Sequence, residues 1–268
     1  SSRGLLFYER YIDDCILLLN EYLDYNEIQR SIEGILQDTY YSKFGNDIYT
    51  CKTSFNHSKF QYISSKTLST SHTSFDYLGY EFWLFRNAQS KVCIEYGITE
   101  EKRRKYIKRV NRIISYYNAP SSPDYHNLEL LRHRIRAFAS REVYISKYYK
   151  TDVWKVKGFI SNYGELRYLL DSGFIENQTM DFLNNMIKNC FDSCGLAQPY
   201  FLKTNGYNLY ENLKKNKTLL FVSSIGYDYK SLINLCQSIG INTVEANGKR
   251  RGYGTLVRDY LIKVKVGY

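Results

Sequence analysis

The chain has 268 residues, with 37 Lys and Arg against 27 Asp and Glu, a formal net charge of +10. At 44 % hydrophobic it is too apolar for a disordered tail, and no uncharged apolar run approaches the roughly 18 residues of a membrane span. The opening Ser1-Ser2-Arg3-Gly4, followed closely by Glu9 and Arg10, is no signal peptide.

The length suits about two domains. A basic chain with 28 Tyr and 14 Phe fits a nucleic-acid partner, since phosphates meet cations and bases meet rings; an AT-rich gene would account for the tyrosines equally well. The six cysteines form no CxxC pair, and Cys190-x3-Cys194 has no His nearby, so no zinc site is expected. Scattered cysteines without a signal peptide read as reduced and cytoplasmic.

In chain order, residues 5–19 read as two short apolar strands around a polar centre, a β-hairpin. Leu23, Ile28, Ile32, Ile35 and Leu36 then give a helix one apolar face, and Gly45-Asn46-Asp47 breaks it. IYTCK (48–52), KFQYI (59–63) and FDYLGYEFWLF (75–85) read as strands, the last interrupted at Gly79 by a bulge or a close approach of another chain. Ser64 to Ser74 reads as a loop. Thr99 is a good N-cap, with Glu100 and Glu101 in the first turn and Tyr106, Val110, Ile113 and Tyr117 on the buried face. Lys102, Arg103, Arg104, Lys105, Lys108, Arg109 and Arg112 crowd the rest of that helix. Pro120 and Pro123 mark a break before a second helix, 128–138; 163–170 and 180–194 also read as helical. Beyond residue 217, TLLFVSS, YKSLINLCQSIG and INTVEA read as a small βαβ unit, followed by a basic glycine-rich loop over 248–254.

Tyr11-Ile12-Asp13-Asp14 carries the strongest chemical signal. Two adjacent carboxylates between apolar strands are costly near a core. They become favourable beside divalent cations, which take carboxylate oxygens and orient a nucleoside triphosphate for in-line attack. FYERYIDDCILLL resembles the [YF]xDD hairpin of reverse transcriptases. Asn56-His57-Ser58-Lys59 resembles the palm motif whose Lys lies near the incoming triphosphate, and Phe75-Asp-Tyr-Leu-Gly-Tyr-Glu-Phe82 resembles the hairpin that grips the primer end. Ile98-Thr-Glu-Glu-Lys-Arg-Arg-Lys105 resembles the first thumb helix of the bacterial enzymes. The likeness runs from residue 5 to about 170 and is nearest to the abortive-infection and defence-associated group.

The resemblance implies an α+β fold: a right-hand polymerase fragment with the C-terminal half of the palm (1–90), a helical thumb (91–175) and a C-terminal extension (176–268). It implies RNA-directed DNA synthesis from dNTPs in antiphage defence. Asp13 and Asp14 would hold Mg2+, or Mn2+ in its place. Lys59 would act on the triphosphate and Tyr11 pack on the nucleotide. Tyr77, Leu78 and Gly79 would hold the primer, and Lys102, Arg103, Lys105 and Arg109 the template–primer. Partners would be an RNA template, the DNA product, and a noncoding RNA or a second reverse transcriptase or other subunit; no membrane is expected. The family's third metal-binding Asp and glycine motif belong upstream of Tyr11, and there is no initiator Met, so a piece of a longer chain is expected. A non-catalytic nucleic-acid-binding module and an RNA-dependent RNA polymerase are the rivals.

Overall fold

The computed structural model describes residues 4–20, 24–39, 41–44, 47–50, 56–203, 207–215 and 226–265. It is a mixed α/β protein of two units, Ser1–Tyr96 and Gly97–Tyr268. The second unit takes in residues 97–175 of the expected thumb and the whole of the expected extension, 176–268. Among the described residues no helix is long and apolar enough to cross a membrane.

In the first unit, β1 (Leu5–Tyr11) and β2 (Asp14–Leu19) form an antiparallel hairpin. Helix α1 (Tyr25–Thr39) follows, then a second hairpin of β3 (Tyr41–Phe44) and β4 (Asp47–Thr50). β5 (Thr73–Tyr77), β6 (Tyr80–Arg86) and β7 (Val92–Ile98) make a three-stranded sheet in sequence order. Its cross-strand pair Phe75–Phe82 stacks at 4.9 Å, and Tyr96 meets Phe82 edge-on at 5.3 Å. Aromatic pairs of this kind add about 0.5–1.5 kcal/mol beyond their buried area.

Two sequence expectations change here. KFQYI is not a strand: Asn56 opens a turn through Lys59, and Phe60 and Tyr62 instead set their rings against Tyr25, at 5.2 and 6.3 Å. Gly79 makes no bulge. Tyr77 opposite Tyr80 closes a two-residue turn in which Leu78 and Gly79 both have positive φ, +52° and +82°. That is the turn whose twist matches a β-hairpin. Leu23, Gly45, Asn46, Cys51 and Lys52 lie outside the described residues.

The second unit is mainly helical. Thr99 Oγ1 accepts the Lys102 N–H and starts α2 (Glu100–Asn118), whose buried residues are Tyr106, Val110, Ile113 and Ile114. Asn127 caps α3 (Leu128–Ala139) in the same way. The next element has no sequence signal: an antiparallel hairpin of β8 (Glu142–Tyr148) and β9 (Thr151–Lys157). α4 (Phe159–Tyr163) runs into a 3-10 turn over Gly164–Tyr168, where the sequence predicts one helix over 163–170. α5 (Asn177–Ser193), α6 (Leu209–Lys215), α7 (Tyr229–Ser238) and α8 (Tyr253–Val264) complete the unit.

Two cores hold it. Tyr106 meets Phe138, Phe159 and Tyr163 edge-on at 5.4–5.9 Å, and its hydroxyl accepts the Asn162 amide at 2.7 Å. The other core joins α3, α7 and α8 through Leu130, Leu232, Cys236, Leu256 and Tyr260. α7 ends as its Gly240 predicts. The glycine, at φ +75°, donates to Gln237 O while Ile241 N donates to Cys236 O, closing the helix end.

The expected βαβ unit is not formed as read. INTVEA makes no strand beyond an isolated bridge between Val244 and Arg250. Ile241 and Thr243 turn inward instead, and the chain folds back through a turn at Gly248. TLLFVSS lies outside the described residues.

A buried polar contact ties α3 to α8. His133 is 2 % exposed; its Nδ1 is 3.0 Å from the Tyr260 hydroxyl, and its Nε2 is buried with no hydrogen-bond partner among the described residues. Burial, with Arg132 and Arg136 on the same helix, pushes the imidazole down to about 4. In the unfolded chain the ring takes its proton near pH ~6.5. Between these values the unfolded state binds more protons, so stability falls as pH drops through the window. We expect a loss on the order of 3 kcal/mol between pH ~7 and pH ~4. Urea midpoints at the two values should show it in the wild type and not in His133→Phe.

Candidate functional site

β1 and β2 are apolar enough to read as interior on both faces, yet Leu6, Phe7, Tyr8 and Leu18 are all exposed. The polar centre becomes the turn. Tyr11 pairs with Asp14, leaving Ile12 and Asp13 as a two-residue connection. Ile12 has φ +56° and is 74 % exposed. A β-branched residue is strained in the left-handed region, and such strain gathers at functional positions. Arg10 holds it: its Nε–H donates to the Ile12 carbonyl at 2.7 Å.

Asp13 and Asp14 are adjacent and exposed on this turn. In a chain of net charge +10, neither carboxylate has an ion pair or side-chain hydrogen bond among the described residues. Hard carboxylate oxygens of this kind fit Mg2+, which binds through one or two carboxylates and keeps its remaining sites for water or phosphate. No group of three or more His, Cys, Asp or Glu side chains suited to a metal occurs among the described residues.

The β5–β6 hairpin belongs to the same unit. Tyr77, the last residue of β5, has its hydroxyl shielded from solvent and without a hydrogen-bond partner among the described residues. Its pKa is raised, first by desolvation and then by Glu9, Cys15, Asp14 and Tyr8. Leu78 and Gly79 occupy the β5–β6 turn immediately beyond Tyr77, Leu78 being 44 % exposed.

Lys59 is exposed in the turn that follows Asn56, whose Oδ1 accepts from Ser58 N and Oγ. His57 in the same turn meets Gln29 of α1, Nδ1 to Nε2 at 3.3 Å. No ion pair joins Lys59 to Asp13 or Asp14 among the described residues. Tyr11 is 57 % exposed beside Asp14 across the hairpin.

On α2 the expected cations divide. Arg103 is spent on the start of α5: it donates to Gln178 Oε1 at 2.9 Å, approaches Thr179 Oγ1 at 3.4 Å, and pairs with Glu176 at 3.6 Å. Its partner Thr179 is itself buried and accepts the Ile98 N–H at 3.0 Å. Arg109 lies across the rings of Tyr106 and Phe138, at 5.5 and 5.3 Å. Both guanidiniums thus take part in packing inside the unit. Lys105 and Lys108 are exposed, and Arg112, a turn further on, lies over the ring of Tyr116. These three lie along one helix face by their spacing. Lys102 is half-buried. Spacing alone does not separate these cations: Arg109 follows the exposed Lys105 at i, i+4 and yet packs on the Tyr106 and Phe138 rings.

In the basic loop, Lys249 and Arg250 are exposed. Arg251 pairs with Asp259 and donates to the Asn242 carbonyl at 2.8 Å. Comparisons of the chain with protein families, with curated proteins and with solved structures return no match.

Proposed function

We propose that the chain carries part of a nucleotidyl-transfer site, and that the protein makes DNA on an RNA template from dNTPs. One observation carries the reading: adjacent carboxylates, unpaired among the described residues of a strongly basic chain, on a strained hairpin turn. The likeness of the YIDD, Leu-Gly-Tyr and thumb-helix segments to reverse transcriptases supports it.

In this reading Asp13 and Asp14 hold the divalent cation. Such an ion neutralises charge on the transferring phosphoryl group and so lowers the barrier to in-line displacement. Tyr11 packs beside the nucleotide, and Tyr77, Leu78 and Gly79 support the primer end. Lys59 is the charge stabiliser or general acid for the leaving pyrophosphate. Lys105, Lys108 and Arg112, with Lys102 beside them, meet backbone phosphates. The biological setting, by the same resemblance, is defence against phage, with a noncoding RNA or a second subunit as partner.

The test is nucleotide incorporation by the full-length polypeptide with an RNA template and a DNA primer, with Mg2+ and with a chelator. We expect dNTP incorporation that the chelator abolishes and that rNTPs do not support. Preference for rNTPs would transfer the assignment to an RNA polymerase. Absence of any incorporation, together with intact nucleic-acid binding, would establish the non-catalytic module instead.

A further inference from the structure

The β8–β9 hairpin plays no part in the reading above. Its strands lie against α3, α4 and α8. Its other end is a two-residue turn, Tyr149–Lys150, closed by Tyr148 opposite Thr151.

That turn presents an unusual surface. Tyr149 is 88 % exposed and has φ +53°. A ring this large gains nothing from solvent, and a residue other than glycine is strained at that angle. Trp154, on β9 opposite Ile145, is 47 % exposed. Lys150 and Lys155, each next in the chain after one of the rings, are exposed. Residues 142–157 carry Lys147, Lys150, Lys155 and Lys157 against Glu142 and Asp152, an excess of positive charge.

We propose that this hairpin binds single-stranded nucleic acid, with bases stacking on Tyr149 and Trp154 and phosphates meeting Lys150 and Lys155. Rings interleaved with cations match the two chemistries of such a strand: every unpaired base offers a flat apolar surface, and every linkage a negative charge. A duplex keeps its base faces covered, so single strands are preferred. A lipid surface fits less well, because Lys150 shares the apex with Tyr149 and would carry an ammonium to the greatest depth. Among the described side chains of residues 149–155 the exposed large apolar ones are the two rings. The proposal does not depend on the polymerase reading; a chain that incorporates no nucleotide would still show this binding.

The experiment is fluorescence anisotropy with a labelled oligothymidylate of about 20 nucleotides, long enough to span a groove of this kind. Tyr149→Gly removes the ring and suits the positive φ, so the melting temperature should hold or rise while affinity falls roughly 5- to 100-fold. Tyr149→Asn, also tolerant of that angle, should give the same loss, and Tyr149→Phe should retain binding. Trp83 and Trp154 are the two tryptophans of the chain. In Trp83→Phe the emission therefore reports Trp154 alone, and the oligonucleotide should quench it. Wild-type affinity in both Tyr149→Gly and Tyr149→Asn would overturn the proposal. So would unchanged Trp154 emission at saturating oligonucleotide, or binding to phosphatidylglycerol vesicles with none to the oligonucleotide.

Discussion

Replacing Asp13 and Asp14 together by Asn is expected to lower nucleotide incorporation by about 10³-fold or more, with the melting temperature unchanged or slightly raised. The magnitude follows from the several kcal/mol by which a bound cation stabilises charge in the transition state, at about 1.4 kcal/mol for each factor of ten. The stability expectation follows from geometry. Both side chains are exposed, and neither makes an ion pair or side-chain hydrogen bond among the described residues, so the substitutions remove two neighbouring like charges and break no contact. Asn keeps the shape and remains at ease in a turn. Mn2+ titration followed by paramagnetic broadening near the β1–β2 hairpin gives a readout that does not need synthesis: it should be lost in the double variant. Intact DNA synthesis in that variant would remove these residues from the chemistry.

The second large effect is on stability, at a site far simpler in its physics. Asp124→Asn should destabilise the Gly97–Tyr268 unit by about 3–5 kcal/mol, the usual result of breaking a buried ion pair from one side. Asp124 Oδ2 accepts from Arg134 at 3.0 Å, and its other oxygen lies 2.5 Å from Lys263 Nζ, with the Asp124 and Arg134 side chains 10 % and 8 % exposed. Arg134 also donates to the Lys263 carbonyl at 3.2 Å and stacks over Tyr116 at 5.8 Å. One carboxylate thus joins the loop before α3 to α3 itself and to the end of α8. Burial already lowers the Arg134 pKa against the opposing pull of Asp124, so neutralising the acid strands a guanidinium in a dry place. For a unit of this size the shift should be roughly 10 °C in the melting temperature. Adding Arg134→Met should recover part of the loss, since removing the guanidinium leaves no stranded charge at this place. A single-variant shift below about 2 °C would show the pair to be energetically idle.

Local patterns are readable where one element contains its own reasons. Thr99 with two acids behind it starts α2, the Tyr106, Val110 and Ile113 spacing turns it, and Gly240 stops α7; each signal acts within a few residues. Strands depend on partners. KFQYI and INTVEA have strand-like composition, but among the described residues neither finds a ladder beyond the Val244–Arg250 bridge. β8 and β9 escape a sequence reading because Tyr148-Tyr-Lys-Thr151 carries no glycine or asparagine to announce a turn, and Tyr149 adopts the left-handed angle without one.

The candidate site divides along the same line. The adjacency of Asp13 and Asp14, their hairpin setting and the positive charge of α2 are properties of the sequence, because neighbours in the chain are neighbours in space. Which cations of α2 face outward is decided only by tertiary structure. Arg103 and Arg109 are drawn into packing because α5 sets Glu176 and Gln178 beside the one, and the Tyr106–Phe138 pair lies beneath the other. Lys105 and Lys108, on the same helix, meet no such partner element among the described residues and stay exposed, where a phosphate can reach them.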